Sequence, residues 1–60
     1  MLPDGFKDIK INKPPLWDDV IFVLEDGRQV EGYFTYNRDD EGECRTNDER
    51  VLKNVIGWKK

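Results

Sequence analysis

The chain has 60 residues, of which 38% are charged and 37% hydrophobic, and its formal net charge is −3 at pH 7. This length allows a single domain, residues 1–60, and a domain so small has little core with which to offset its chain entropy. With no histidine and one cysteine, the sequence predicts neither an intrachain disulfide nor a zinc site, and we expect no bound metal or cofactor. Stability must come from the hydrophobic core, with self-association as a possible addition.

The negative charge is concentrated in one stretch, 37–50. This stretch holds six acidic residues against three arginines, whereas the seven acidic and seven basic residues elsewhere cancel. An acidic protein lacks the positive surface typical of nucleic acid binding, so the composition disfavours a nucleic acid partner. No apolar run has the length of a membrane span, and residues 1–5 lack the basic start and apolar stretch of a signal peptide. We therefore expect a cytoplasmic protein that binds no membrane and keeps its cysteine reduced.

The first predicted element is a weak strand over 6–11, in which hydrophobic residues alternate with charged ones. It is either an edge strand, on which the lysines would discourage pairing with another chain, or a strap across the sheet. The proline pair 14–15 excludes a helix and predicts an extended segment. We expect this segment to direct Leu16 and Trp17 toward the core, with an exposed platform for a ligand as the alternative position of Trp17.

The strongest signal is a β-hairpin within 19–36, where two β-prone runs flank residues 25–27. A two-residue loop and a three-residue loop both fit, and they differ by one residue in strand register. The three-residue loop, with Gly27 in the left-handed conformation, pairs Phe22 with Val30 and brings the apolar side chains to one face, so we predict it. The side chains that share this face are Val20, Phe22, Leu24, Val30 and Phe34.

The two strands of this hairpin differ in their surroundings. Residues 20–24 are apolar on both faces, which predicts a central strand covered on both sides. Residues 30–36 alternate, so one of their faces is at least partly solvated, and Gly32 indicates a bend or a close backbone approach. Tyr33 lies on the solvated face. We favour a small second core around Tyr33, and the alternative is a binding surface, since aromatic residues are enriched at interface hot spots.

The remainder of the chain also reads as strands and turns. Residues 37–42 form a polar turn, and 43–46 form a short return strand. A second turn follows at 47–49, and 55–59 is the closing strand, with Trp58 as a core anchor. No segment has a sustained helical period.

No catalytic set stands out in the sequence, and we expect no enzymatic activity. Cys44 lacks an activating base, and its neighbour Arg45 points the other way along a strand, so Cys44 is interpreted as a buried structural residue. Asn37, Asp39, Glu41 and Glu43 alternate as calcium ligands do, but the closing glutamate of a calcium loop is absent. The candidate residues for binding another protein are three loop acids and two aromatic residues: Asp39, Asp40, Glu41, Tyr33 and Trp17.

Residues 24–34 of the hairpin read L-E-D-G-R-Q-V-E-G-Y-F. This run resembles the first motif of the Sm and Sm-like RNA-binding family, whose members form strongly bent five-stranded barrels that assemble into rings. The resemblance implies such a barrel and, as one function, an RNA-binding ring subunit. The chain departs from the family where RNA is bound: the base-binding Met-Asn pair falls on Glu41-Gly42, and the second motif is absent.

Three other features occur together: prolines at 14–15 before Leu16, a D-G hairpin at 19–27, and the run V-I-G-W at 55–58. In this combination the chain resembles small uncharacterised proteins of bacteriophages and prophages. The resemblance implies no known activity, but it implies an accessory protein that acts in the cytoplasm of a bacterial host.

Together, these observations predict an all-β fold, a small SH3-like or Sm-like barrel of four to five antiparallel strands. They predict a non-enzymatic binding protein, encoded by a phage or prophage, that contacts a host or viral protein through its acidic loop and aromatic strand face. The alternative function is that of an Sm-like RNA-binding ring subunit.

Overall fold

The computed structural model describes residues 2–60; Met1, part of the stretch assessed as a signal peptide, lies outside them. The strands are β1 (Lys7–Asp8), β2 (Val20–Leu24), β3 (Gln29–Tyr36), β4 (Gly42–Thr46), β5 (Val51–Leu52) and β6 (Val55–Lys59). They form one antiparallel sheet in the order β1-β6-β2-β3-β4-β5. The predicted all-β fold is confirmed, with six strands instead of four to five. The sheet is open, since no pairing joins β1 to β5 within the described residues.

The sheet is nevertheless strongly curled. β5 lies at one end of the strand order and β6 lies next to the other end, yet only Lys53 and Asn54 separate them along the chain. The backbone N–H of Glu25 donates to the carbonyl oxygen of Asn54 at 2.9 Å, which ties this connection to the β2–β3 loop. The short connection therefore draws the two ends of the sheet toward each other, as in a barrel that has not closed.

The β2–β3 hairpin has the predicted three-residue loop, 25–27. Gly27 has a φ of +90°, and its N–H donates to the carbonyl oxygen of Leu24 at 2.9 Å. Phe22 pairs with Val30 across the two strands, so the predicted register is confirmed. Glycine suits this corner because it adopts positive φ without a clash at Cβ.

The hydrophobic core lies on the face of the sheet that the hairpin register predicts. Phe22 is fully buried at its centre. Trp58, the predicted anchor of the last strand, is also buried, and its indole N–H donates to the carbonyl oxygen of Asn12 at 2.7 Å. Val30, predicted for this face, is half-buried. The buried cluster consists of Val20, Phe22, Phe34, Cys44 and Trp58, with Ile9, Leu52 and Val55 packed against it.

β2 takes the position predicted for it, and β1 is an edge strand that covers only two residues of the predicted 6–11. β2 pairs on both sides, with β3 and with β6, and Val23 on its second face is buried as well. β1 is short, lies at one end of the sheet and pairs with β6. A short, charged end strand is one way in which natural sheets avoid pairing with other chains.

The segment after the proline pair differs from the prediction. Leu16 and Trp17 were expected in the core, and this is wrong, because they are 48% and 68% exposed. Trp17 has a φ of +66°, and its N–H donates to the carbonyl oxygen of Phe34 at 3.0 Å. The backbone turns at this left-handed residue, and Pro14 is the buried residue of the segment. The two larger side chains therefore face solvent.

Gly32 supplies the close backbone approach predicted within β3. A Cβ at this position would collide with the carbonyl oxygen of Arg45, a backbone atom that cannot move without shifting β4. We expect Gly32→Ala to lower the free energy of unfolding by about 1–3 kcal/mol, as overpacking of a tight site does. Urea titration followed by tryptophan fluorescence measures the loss.

The matched control is Gln29→Ala, because Gln29 is an exposed residue of the same strand. This change should alter the free energy of unfolding by less than about 0.5 kcal/mol. If both variants unfold at the urea concentration of the wild type, the proposed contact between β3 and β4 at Gly32 is wrong.

Candidate protein-interaction surface

Trp17 and Tyr33 form a stacked aromatic pair on the second face of β3. Their ring centroids are 5.4 Å apart, and their planes are 18° from parallel. Tyr33 is half-buried, whereas Trp17 is 68% exposed. Tyr33 therefore covers one face of the indole ring, while most of Trp17 remains exposed to solvent. The sequence singles out both residues, and the structure brings them together as one feature, the aromatic pair.

The backbone holds Trp17 in place over Tyr33. The hydrogen bond from Trp17 N–H to the Phe34 carbonyl fixes Trp17 beside β3, and Leu16 forms a β-bridge with Phe34. A left-handed residue other than glycine costs on the order of 1–2 kcal/mol. The hydrogen bond and a stacked aromatic contact, worth about 0.5–1.5 kcal/mol beyond its buried area, offset that cost. The aromatic pair is therefore ordered before any partner arrives.

Arg45 borders the aromatic pair on β4. It is the cross-strand partner of Tyr33, and its Nη2 lies 2.9 Å from Oε2 of Glu43. Glu43 also accepts a hydrogen bond from Nδ2 of Asn37 at 3.0 Å. The hydrogen bonds from Asn37 and Arg45 hold the pKa of Glu43 below its usual value, so the carboxylate remains charged at neutral pH. This carboxylate orients the guanidinium beside Tyr33.

The acidic loop, residues 39–41, occupies the predicted turn between β3 and β4. The side-chain oxygen of Asn37 accepts hydrogen bonds from the N–H groups of Asp39 at 2.8 Å and of Glu41 at 3.0 Å. Asp39, Asp40 and Glu41 are all exposed. Asn37 follows Tyr33 by four residues, which is about 13 Å along an extended strand. A single protein partner could therefore contact both the acidic loop and the aromatic pair.

Arg45 belongs to this surface but is not among the candidate residues predicted from the sequence. Its outward direction follows from the inward direction of Cys44, because neighbouring residues of a strand face opposite sides. The missing signal is the register between β3 and β4, which places Arg45 opposite Tyr33. The stacking of Trp17 on Tyr33 has no pattern in the sequence, since it depends on one left-handed residue.

Cys44 is buried in the core, as predicted. Burial raises the pKa of its thiol to about 11. The thiol is therefore protonated at neutral pH, which is the unreactive form. Among residues 2–60, no group of three or more acidic or cysteine side chains is arranged to hold a metal ion.

Comparison with known proteins does not assign the chain to a family. No protein-family model, curated protein or solved structure matches it. In the part of the chain that the structure describes, no helix has the length and apolar character required to cross a membrane.

Cys44 provides a test of the core through its thiol chemistry. At pH 8 we expect the thiol to react with an aromatic disulfide reagent on the order of 100-fold more slowly in the folded protein than in urea, because burial suppresses the thiolate. As the pH rises from 9.0, the ordinary pKa, toward 11, the unfolded chain loses a proton that the folded chain keeps. The free energy of unfolding should therefore fall over this range.

The control for this pH dependence is Cys44→Ala, which keeps every other group that titrates at high pH. The difference in unfolding free energy between the wild type and the variant should shrink from pH 9 to 11. A constant difference over this range, or equally fast labelling of the folded and unfolded chains, would show that the thiol is not buried.

Proposed function

We propose that this chain is a non-enzymatic binding protein that recognises another protein through the aromatic pair and Arg45. The observation that carries the proposal is the exposed tryptophan held in a fixed position. Trp17 is 68% exposed and stacked on Tyr33, with Arg45 as the cross-strand neighbour of Tyr33. Tryptophan, tyrosine and arginine are the residue types most enriched at the hot spots of protein interfaces.

The order of this surface supports its use in binding. Immobilising a flexible side chain at an interface costs about 0.5–1.5 kcal/mol, and an ordered surface avoids part of that cost. Trp17 is held by a backbone hydrogen bond and by stacking, and Arg45 is held by Glu43. Trp58 is the tryptophan of the hydrophobic core, and Trp17 is not part of that cluster. Core packing therefore does not explain the presence of Trp17.

The acidic loop adds an electrostatic preference to the proposed surface. Six of the 13 acidic residues lie within 37–50, and the loop residues among them are exposed. Charge of one sign near a binding surface attracts partners of the opposite sign and speeds their association. The proposed partner therefore carries a basic patch next to an apolar or aromatic contact.

We further propose that the chain is a phage- or prophage-encoded accessory protein that contacts a host or viral protein in the bacterial cytoplasm. The support is the resemblance in the proline-rich segment, the hairpin and the final V-I-G-W run. Each of these features has a structural role here. Pro14 is buried, the hairpin contains two central strands, and the final run forms most of β6. The shared pattern therefore specifies the scaffold, and the aromatic pair lies beside it.

The alternative is an Sm-like RNA-binding ring subunit, supported by the motif at 24–34. That motif spans the end of β2, the three-residue loop and most of β3. A ring subunit should give a hexamer or heptamer on a sizing column with light scattering, and the protein should be retained on uridine-rich RNA. The proposed protein-binding function instead predicts a monomer or dimer at both high and low protein concentration.

Removal of the aromatic pair should strongly weaken partner binding. We expect Trp17→Ala combined with Tyr33→Ala to weaken binding at least about 30-fold, as the loss of a hot spot does. The measurement is affinity capture from bacterial lysate with quantitative mass spectrometry, followed by titration of the purified partner. Ile11→Ala is the control, because Ile11 is an apolar side chain 78% exposed outside the pair. A partner that binds the double variant as tightly as the wild type would refute this surface.

Neutralising the acidic loop should act mainly on the association rate. The triple variant Asp39→Asn, Asp40→Asn and Glu41→Gln should associate about tenfold more slowly at low salt, with nearly unchanged dissociation. Surface plasmon resonance with the captured partner separates the two rates. High salt should remove the difference, since it screens exposed charges. If the triple variant and the wild type associate equally fast at low salt, the acidic loop has no part in recognition.

A further inference from the structure

A groove lined by three lysines includes neither residue of the aromatic pair. Its volume is about 680 Å³, within the range of sites that hold small molecules or short peptides. The N-terminal segment contributes one wall and the end of β6 contributes another. Among the described residues, no aspartate or glutamate lines it. The lining residues of this lysine groove are Gly5, Lys7, Pro15, Trp58, Lys59 and Lys60.

The topology of the sheet explains why lysines gather here. All the lysines of the chain lie in two segments, 7–13 and 53–60. The antiparallel pairing of β1 with β6 brings the beginning of one segment beside the end of the other. Three of the six lysines therefore line one groove.

Two of the groove lysines lie over aromatic rings. Nζ of Lys7 is 5.0 Å from the ring centroid of Trp58, and Nζ of Lys59 is 4.9 Å from that of Phe6. A cation–π contact restrains an ammonium group without neutralising its charge. Lys7 and Lys59 therefore present positive charge at defined positions beside the groove.

The third lysine, Lys60, forms an ion pair with Asp18 that a ligand could displace. Nζ of Lys60 lies 3.2 Å from Oδ2 of Asp18, and both side chains are more than half exposed. Exposed ion pairs contribute little free energy, so a carboxylate of a bound partner can compete with Asp18 for this ammonium group.

We propose that the lysine groove binds an acidic segment of a partner protein, a short extended stretch with several aspartates or glutamates. The three ammonium groups are point charges that suit separate carboxylates, and the groove has no arginine fork to grip a phosphate in two places. The chain as a whole carries a charge of −3, which repels a long polyanion such as nucleic acid. A short acidic segment complements the charge of the three lysines that line the groove.

The test uses a fluorescein-labelled oligoglutamate peptide and fluorescence anisotropy at low salt. We expect the wild type to bind this peptide and Lys7→Ala combined with Lys59→Ala to bind it about fivefold more weakly, from the loss of two exposed ion pairs. The control is Lys10→Ala combined with Lys53→Ala, which removes the same charge from two exposed lysines outside the groove and should bind as the wild type does. Lys60→Ala, a change at an exposed residue outside the strands, should weaken binding about twofold without affecting folding.

Two kinds of result would overturn the proposal. Absence of binding by the wild type, or equal weakening by the two double variants, would show that the groove lysines are ordinary surface charges. Tighter binding of a labelled oligothymidylate through the same lysines would assign the groove to nucleic acid. The variant with both Trp17→Ala and Tyr33→Ala should bind oligoglutamate normally. The groove and the aromatic pair can therefore fail independently.

Discussion

The register of the β2–β3 hairpin governs the layout of the whole sheet, because β2 and β3 are its two central strands. The three-residue loop places Phe22 opposite Val30. A two-residue loop would shift β3 by one position, and every side chain of β3 would then face the other side of the sheet. Phe34 would leave the core and Tyr33 would enter it. One loop, with Gly27 at its corner, thus decides both what is buried and what is displayed.

The position of Trp17 follows from the same pairing. The pairing between β2 and β3 ends at Val20 and Gly32. No residue of β2 is therefore in position to donate a hydrogen bond to the carbonyl oxygen of Phe34. The N–H of Trp17 donates to that carbonyl, which satisfies a backbone acceptor next to the core. The left-handed conformation that makes this bond possible also places the indole on Tyr33. Backbone strain of this kind tends to occur at functional sites.

Much of this fold can be predicted from the sequence because its signals are local. The loop at 25–27, the alternation of 30–36 and the apolar run ending in Trp58 each depend on neighbouring residues. β5 could not be predicted in this way, because a strand of two residues has no periodicity. It is a strand because it pairs with β4, a contact that neighbouring residues do not indicate. The open ends of the sheet likewise depend on distant pairings.

The candidate surface shows the same limit. Hydrophobicity alone predicts a buried Trp17. The neighbouring residues do not indicate its positive φ or its hydrogen bond to Phe34. Arg45 and the lysine groove depend on which strands are adjacent, β3 with β4 and β1 with β6. Local patterns therefore specify the scaffold, whereas the surfaces proposed for binding arise from contacts between segments distant in sequence.

The proposed binding surface requires that Trp17 is held on Tyr33 in the free protein, before any partner binds. The most direct test is a solution NMR measurement of nuclear Overhauser effects between the indole protons of Trp17 and the ring protons of Tyr33. We expect clear cross-peaks, and upfield shifts of the Tyr33 ring protons that disappear in Trp17→Ala. The ring signals of Tyr36, which packs edge-on against Phe34, should stay unchanged in that variant. Absence of the cross-peaks, with Tyr33 shifts like those of an unfolded chain, would contradict the ordered aromatic pair and the binding surface built on it.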